Sequence, residues 1–340
     1  MVPRTPDFEH GILRVLHGER PVRATLYELF LNPVFYRRLA GHSAPEPGPL
    51  GDLRLTVEAM AAAGYDYATC HASAFHFRES AREMKNTLSL NGQAVITDRA
   101  SYERFHWPDP RQCPADALDG IGRYLPDGMK LMLMGPGGVL ENVINLVGYD
   151  NLCILLGEDP ELVQEICDRV GERLVWYYES AVQREEIGFL CSNDDWGFNT
   201  QTFLSPADMR RYIFPWHKRI VEIAHRAGKP CMLHSCGYFA EVVDDIVEIG
   251  FDARHSYEDN ILPVEEAYPL LHGRMAVLGG IDMNFLVTRT PEEVYDRSRR
   301  MLERTWEGGG YALGSGNSIP EYVPYENYLA MIRAALEFEA

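Results

Sequence analysis

Eight short apolar runs, separated by longer segments of helical period, constrain the fold of this 340-residue chain more than any other feature. Each run is rich in strand-forming residues. The runs occupy residues 24–30, 65–70, 130–135, 188–194, 230–235, 250–256, 274–280 and 310–316. Strands that alternate with helices are parallel, because only a crossover helix returns the chain to the same end of the sheet. We therefore predict an α/β fold, a (β/α)₈ TIM barrel.

The segments between these runs carry helix signals. In residues 163–182, apolar side chains recur at steps of three and four, which marks one buried face of a long helix. Thr290-Pro291 combines a capping side chain with proline at the first helical position, and Glu293 completes a capping box. An open doubly wound sheet is the competing fold, but no glycine fingerprint follows the first strand. The barrel is favoured.

Two segments depart from the alternation. Residues 1–20 contain a helix-like stretch, which we place at the bottom of the barrel. Residues 86–107 carry an Asn91-Gly92 turn between alternating runs, which predicts a β-hairpin inserted after the second strand. No linker, low-complexity tract or internal repeat divides the chain. We therefore expect residues 1–340 to form a single domain.

The charge balance restricts the partners. The chain has 32 Lys and Arg against 50 Asp and Glu, a formal net charge of −18 at pH 7. Such a surface repels phosphate backbones and anionic lipid, so we expect a small-molecule substrate and neither nucleic acid nor a membrane as partner. The seven cysteines lack paired spacing, and no apolar run reaches the ~20 residues of a membrane helix. We expect a cytoplasmic protein and leave a homodimer open.

Polar residues directly after the predicted strands are the candidates for the active site, because TIM barrels build that site at the C-terminal ends of their strands. This rule selects one set of residues that would face the same mouth. They are Glu28, His71, His76, Asn193, Asp194, Asp195, His234, Cys236, His255, Asp282, Ser315 and Asn317.

The His234-x-Cys236 pair is the sharpest of these signals. An imidazole and a thiolate two residues apart can both bind Zn²⁺. A catalytic zinc ion normally has three protein ligands and one open position, so a third ligand is needed, and Asp194, Asp195 or Glu28 could supply an oxygen. The alternative is that His234 makes a hydrogen bond within the barrel and that Cys236 is a small packed residue.

Two neighbouring carboxylates, Asp194 and Asp195, stand beside Trp196. Like-charge proximity and partial burial can raise the pKa of one of them into the range useful for general acid–base catalysis. The alternative is a helix cap or a turn, which Asp also favours. Because the two residues follow a strand directly, only one is expected to point at the mouth, and we favour Asp195.

Six motifs occur in a fixed order along nearly the whole chain: GPGGVLENVINLVGYDNL (135–152), DDWGFNTQTFLSP (194–206), PWHK (215–218), LHSCG (233–237), LGGID (278–282) and GSGNSIPEYVPYENY (314–328). In order and spacing they resemble the uroporphyrinogen decarboxylase superfamily, which also contains corrinoid-protein methyltransferases. True decarboxylases carry an arginine-rich first loop and a histidine in the last loop. Here residues 28–33 contain no arginine, and Asn317 replaces the histidine. The resemblance is therefore nearer to the methyltransferases.

The methyltransferase branch holds zinc with a His-x-Cys pair and a third cysteine in the last loop. His234 and Cys236 match the pair, and Asn317 stands at the third position. The resemblance implies transfer of a methyl group between a small methylated substrate or thiol and a cobamide, a corrinoid carried by a partner protein. Asp195, Asp282 and Asn317 would be catalytic. The predicted substrate-binding residues are Glu28, His71, Asp194, Trp196, His255 and Ser315.

Two other functions stay open at this point. The first is a metal-free decarboxylase or lyase that uses Asp195 as its acid–base residue. The second is a non-catalytic barrel that binds a small molecule.

Overall fold

Seven parallel strands form the centre of the protein in the order in which they occur along the chain. The computed structural model describes residues 4–44, 46–77 and 94–339. The strands in these ranges are β1 (Tyr67–His71), β2 (Lys130–Met134), β3 (Ile187–Asn193), β4 (Cys231–His234), β5 (Ala253–His255), β6 (Ala276–Leu278) and β7 (Tyr311–Ala312). Each strand pairs in parallel with the next, so all their C-terminal ends lie at one edge.

The first predicted strand, residues 24–30, contributes a single bridge and no ladder. Leu26 pairs in parallel with Leu313, which follows β7. On the other side, the Tyr67 hydroxyl of β1 donates to the Glu28 carbonyl at 2.6 Å. A side chain thus makes the contact that a backbone ladder would make. The segment lies between β7 and β1, as the first strand of a TIM barrel does, and the predicted α/β barrel class is confirmed.

Helices occupy the connections between the strands. They are α1 (Ile12–Leu16), α2 (Pro33–Ala40), α3 (Pro49–Ala63), α4 (Arg99–Arg104), α5 (Val139–Val147), α6 (Tyr149–Glu158), α7 (Pro160–Glu179), α8 (Pro206–Asp208), α9 (Phe214–Arg226), α10 (Val243–Ile249), α11 (Val264–Leu271), α12 (Met283–Thr288), α13 (Pro291–Thr305) and α14 (Tyr325–Leu336). Among the described residues, no single helix is long and apolar enough to cross a membrane, and only α5 and α6 together, bent by 93°, pass that test.

Two helix predictions are confirmed. Helix α7 carries the buried face expected over residues 163–182. Helix α13 begins with the capping box, in which the Thr290 hydroxyl accepts from the Glu293 N–H at 3.3 Å and the Glu293 carboxylate accepts from the Thr290 N–H at 2.9 Å. Near α1, the ring of Phe8 lies 6.2 Å from that of Phe189 in β3. The two helices could be predicted from the sequence because capping and amphipathic periodicity are local properties.

The β-hairpin predicted over residues 86–107 is wrong in the part that the structure describes. Residues 86–93, which include the Asn91-Gly92 turn, lie outside the described residues. Residues 94–107 contain α4, a helix and not a strand. The Asp98 carboxylate accepts from the Ser101 N–H at 2.7 Å and caps the helix. Local capping of this kind competes with extended structure, and the short alternating run could not outweigh it.

Candidate active site

Asp195, His234 and Cys236 come together at the C-terminal ends of β3 and β4. Asn193, the last residue of β3, pairs with His234, the last residue of β4. The chain therefore leaves both strands at the same level. One ligand atom each from Asp195, His234 and Cys236 lies within 4.8 Å of the other two. We call these three residues the Asp-His-Cys cluster.

The loop after β4 crosses the loop after β3 at very short range. The Cys236 N–H donates to Asp195 Oδ1 at 2.9 Å, which ties the two loops together. Gly237 follows with φ +88°, and a Cβ there would lie 2.1 Å from the Gly197 carbonyl oxygen. Only glycine fits such a position without movement of the backbone. Gly237 of the LHSCG motif therefore permits the close crossing that brings Cys236 to Asp195.

The Gly237→Ala variant is expected to be less stable and to lose part of the Asp-His-Cys cluster. A left-handed conformation costs a non-glycine residue about 1–2 kcal/mol, and the clash with Gly197 adds to that cost. Gly273→Ala is the matched control, because Gly273 has φ +80° and open space around its Cβ position. Chemical denaturation should show a larger loss for Gly237→Ala. Equal losses would contradict the close crossing.

Two side chains among the described residues donate hydrogen bonds to the Cys236 sulfur. Asn317 Nδ2 donates to it at 3.2 Å, and the Ser256 hydroxyl donates at 3.6 Å. Asn317 Oδ1 accepts from the Ser318 N–H at 2.9 Å, which turns the amino group of the amide toward the sulfur. Burial, reinforced by the Asp195 charge, raises the pKa of the Cys236 thiol well above its usual range. Cys236 is therefore a neutral thiol until a cation displaces its proton.

His234 contacts both the sulfur and a second histidine. Its Nε2 lies 3.8 Å from the Cys236 sulfur, and its Nδ1 lies 2.8 Å from Nδ1 of His255. His255 Nε2 lies 3.1 Å from the Ser315 carbonyl oxygen. Burial lowers the pKa of both imidazoles, so both rings are neutral at pH 7.

Glu28 and Ser315 form a buried pair beneath the last loop. The Ser315 hydroxyl donates to Glu28 Oε1 at 2.7 Å, and neither residue is exposed to solvent. Burial raises the pKa of Glu28 to about 8, because its hydrogen bonds only partly compensate for the loss of water. Glu28 is therefore largely protonated at pH 7. It does not reach the Asp-His-Cys cluster, in which Asp195 supplies the carboxylate oxygen.

A cleft of about 640 Å³ opens beside the cluster, and we call it the mouth cleft. Asn317 lines it and also contacts the Cys236 sulfur, so this residue lies between the cleft and the cluster. Its other lining residues are Glu258, Asp259, Asn260, Asp282, Met283, Asn284, Val287 and Tyr322. Asp282 caps α12 by accepting from the Phe285 N–H at 3.0 Å, and its other oxygen accepts from the Asp259 N–H at 3.0 Å.

Comparison with known proteins agrees with the motifs. The sequence model described as uroporphyrinogen decarboxylase (URO-D) matches residues 96–338. The chain belongs to the uroporphyrinogen decarboxylase family. It is similar to the uroporphyrinogen decarboxylase of Anaeromyxobacter dehalogenans, with 29% identity over 72% of this chain and 69% of that protein. A second relative, from Methylococcus capsulatus, is 24% identical over 54% of this chain and 51% of that protein.

A solved structure similar to this family member is a methyltransferase from Methanosarcina mazei. The two chains superpose with a TM-score of 0.69 and 19% identity, over 97% of this chain and 98% of the other. At this identity the similarity establishes the fold and not the reaction. The resemblance predicted from the sequence motifs is confirmed at the level of the superfamily.

Two predicted substrate-binding residues of this uroporphyrinogen decarboxylase family member face its core. Asp194 is fully buried, and its oxygens accept from His217 at 2.9 Å and from the N–H groups of Leu140 and Glu141 in α5 at 3.0 and 2.9 Å. Trp196 is also fully buried, with its ring 5.1 Å from His217. A helix N-terminus needs such acceptors, so Asp194 satisfies α5. These positions do not support substrate binding by Asp194 or Trp196.

The remaining predicted residues divide by exposure. His71, the last residue of β1, is exposed. His255, Ser315 and Glu28 are fully buried behind the cluster and are not positioned to contact a substrate. Sequence patterns alone could not separate these residues, since all of them directly follow predicted strands. Which of them reach the mouth depends on how far each loop extends.

Sequence reasoning missed Glu141 and Ser256. Glu141 Oε2 accepts from the Gly138 N–H at 2.8 Å, and burial together with the charges of Asp195 and Asp194 raises the pKa of Glu141 well above its usual range. Its position in the GPGGVLEN motif was the available signal. Ser256 gave none, because a serine after a short strand is common in loops.

Proposed function

We propose that this chain is a methyltransferase that moves a methyl group between a small methylated substrate or thiol and a corrinoid carried by a partner protein. A zinc ion would be held by Asp195, His234 and Cys236. The convergence of these three side chains within 4.8 Å carries the proposal. The fold similarity to a methyltransferase agrees with it.

The donor set of the Asp-His-Cys cluster suits zinc. One thiolate, one imidazole and one carboxylate are all ligands that Zn²⁺ accepts, and three of them leave a fourth position for substrate. A zinc ion in this position would act as a Lewis acid toward the heteroatom of the substrate. Asn317 and Ser256 would hold the Cys236 thiolate through their hydrogen bonds.

The charges of the mouth cleft favour a neutral or cationic methyl compound over an anionic one. The Asp259 carboxylate is paired with Arg297, at 2.7 Å for each of two hydrogen bonds. Glu258 and Asp282 have no such partner among the salt bridges of the described residues. The described residues that line the cleft include neither Arg nor Lys. An anionic substrate would therefore meet carboxylates and no Arg or Lys side chain in the cleft to bind it.

Methyl transfer to free cob(I)alamin tests the proposed function. Zinc-loaded protein is incubated with cob(I)alamin and a panel of methylated amines, methylated thiols and methoxy-aromatics, and the absorbance change on formation of methylcob(III)alamin is followed. We expect turnover of at least one neutral or cationic compound, and its loss in the Cys236→Ala variant. Zinc-loaded protein that transfers no methyl group from any class would contradict the proposal.

A metal-free decarboxylase is the second candidate, and the carboxyl group of Glu141 near Asp195 favours it. Burial and the neighbouring charges keep Glu141 protonated, so one carboxyl group can donate a proton while Asp195 accepts one. The same assay series decides between the two. Decarboxylation of uroporphyrinogen by protein stripped of metal, with no methyl transfer, would favour this candidate.

The Asn317→Cys variant is expected to bind zinc at least about 10-fold more tightly than the wild type. The amino nitrogen of Asn317 lies 3.2 Å from the Cys236 sulfur, so a thiolate at residue 317 would reach the same ion. Asn317→Ser is the control, because it removes the amide and adds no sulfur. Competition with a chromophoric chelator measures both affinities. Equal zinc affinities of the cysteine and serine variants would contradict this placement of Asn317.

A further inference from the structure

His255 lies behind His234, on the side away from the Cys236 sulfur. The two Nδ1 atoms are 2.8 Å apart, and the centre of the His255 ring lies 4.9 Å from the ring centres of both Tyr27 and His234. His255 is fully buried. It therefore acts through His234 and not on a substrate.

The hydrogen-bond chain fixes where the protons lie. The Ser315 carbonyl oxygen can only accept, so the proton between it and His255 belongs to His255 Nε2. A neutral imidazole carries one proton, which leaves His255 Nδ1 as an acceptor. The short contact between the rings then requires a proton on His234 Nδ1. Consequently His234 Nε2, the nitrogen nearer the Cys236 sulfur, has a free lone pair.

The surroundings favour two neutral rings. Both imidazoles are buried. The fully buried Arg254 guanidinium donates to the carbonyl oxygens of Ser235 and Ser256, each of which directly follows one of the two histidines. Among the described residues, the carboxylate that joins His234 in the cluster is that of Asp195, with an oxygen within 4.8 Å of a His234 ring nitrogen. A positive charge on either ring would have to be held without water beside another cation, which is unfavourable.

Gly279 preserves the contact between His255 and Ser315. A Cβ at this position would lie 2.2 Å from the Ser315 carbonyl oxygen and 3.0 Å from Cδ2 of His255. The Gly279 N–H donates to the Ala312 carbonyl at 2.8 Å, which joins β6 to β7 at this level. The glycine of the LGGID motif thus leaves room for the Ser315 carbonyl, which accepts the proton of His255 Nε2.

We propose that His255 is a positioning residue that holds His234 in the Nδ1–H tautomer, so that Nε2 presents its lone pair to the Asp-His-Cys cluster. Histidines that bind metals commonly donate their other N–H to a carbonyl or carboxylate. Here the acceptor is the imidazole of His255, whose own proton position is fixed by the Ser315 carbonyl. The inference rests on the proposed function only for the identity of the ion.

The tautomer can be read directly in the metal-free wild-type protein. Long-range ¹H–¹⁵N spectra of protein labelled in its histidine rings distinguish protonated from bare ring nitrogens, and the His234→Asn variant assigns the His234 signals. We expect a protonated Nδ1 and a bare Nε2 at pH 7. A protonated Nε2 on His234 would overturn the proposal, whether or not the protein binds zinc or transfers methyl groups.

Variants of His255 separate positioning from packing. In His255→Asn, the side-chain oxygen can accept from His234 Nδ1, so the tautomer and the affinity for zinc ion should stay within about 3-fold of the wild type. In His255→Leu the acceptor is lost, and we expect mixed tautomers and a roughly 10- to 100-fold weaker zinc affinity. Retention of both the tautomer and the affinity in the leucine variant would overturn the proposal.

His272→Leu is the matched control. His272 also contacts a backbone carbonyl through Nε2, that of Gly308 at 3.0 Å, but lies outside the cluster. Its replacement should leave the His234 tautomer and the zinc affinity unchanged. A change in either would overturn the assignment of the effect to His255. If the leucine variant does not fold, the wild-type spectrum and the asparagine variant still decide the question.

Discussion

The Cys236→Ala variant is expected to bind zinc more than about 100-fold more weakly than the wild type and to lose methyl transfer to cob(I)alamin. Cys236 supplies the one sulfur of the Asp-His-Cys cluster. Without it, Asp195 and His234 remain, and two ligands are fewer than catalytic zinc sites use. The variant should still fold, because the change removes a single partly buried sulfur atom. Chelator competition and the cobalamin assay give the two results.

Cys153→Ala is the control for this variant. Cys153 is exposed and lies in α6, outside the cluster. It should retain the zinc affinity and the activity of the wild type. If Cys236→Ala keeps full zinc affinity, the ion is bound elsewhere. If it loses zinc but keeps the activity, the metal plays no part in the reaction.

The Glu28→Gln variant is expected to change how stability depends on pH. The pKa of Glu28 is about 8 in the folded protein, against 4.5 for an ordinary glutamate. Between these values the folded chain binds more protons than the unfolded chain, so the free energy of unfolding falls as the pH rises. The slope contributed by Glu28 is about 1.4 kcal/mol per pH unit, or about 5 kcal/mol across the range. Because glutamine cannot ionise, the free energy of unfolding of the variant lacks this fall with rising pH.

Urea denaturation at pH 5, 6.5 and 8 measures this effect. Relative to the wild type, Glu28→Gln should gain stability at each step, and the difference should level off above pH 8. Glu9→Gln, at an exposed position, should follow the wild type throughout. Parallel stability curves for Glu28→Gln and the wild type would contradict the buried, protonated state of Glu28.

Much of the fold could be predicted because its signals are local. Seven of the eight apolar runs are strands, and the capping box at Thr290 appears as expected. The run at 24–30 was the exception, since its pairing depends on contacts with Leu313 and Tyr67, which are distant in sequence. The hairpin prediction failed because Asp98 and Ser101 cap a helix where apolar alternation suggested a strand.

The candidate site was predictable in its position but not in its composition. The His-x-Cys spacing and the barrel rule indicated the right edge of the sheet. Three residues were open as the third ligand, and the structure brings Asp195 to the pair, while Asp194 caps α5 and Glu28 lies with Ser315. The reason is the alternation of side chains as the chain leaves β3, together with loop lengths that no local pattern reveals.

X-ray absorption at the zinc edge tests the central proposal most directly. Wild-type protein is loaded with one equivalent of zinc, and the scattering atoms around the ion are counted. Ligation by Asp195, His234 and Cys236 predicts one sulfur per zinc, with nitrogen and oxygen at the other positions. A zinc ion without sulfur, a zinc ion with two or more sulfurs, or a protein that retains no zinc would contradict it.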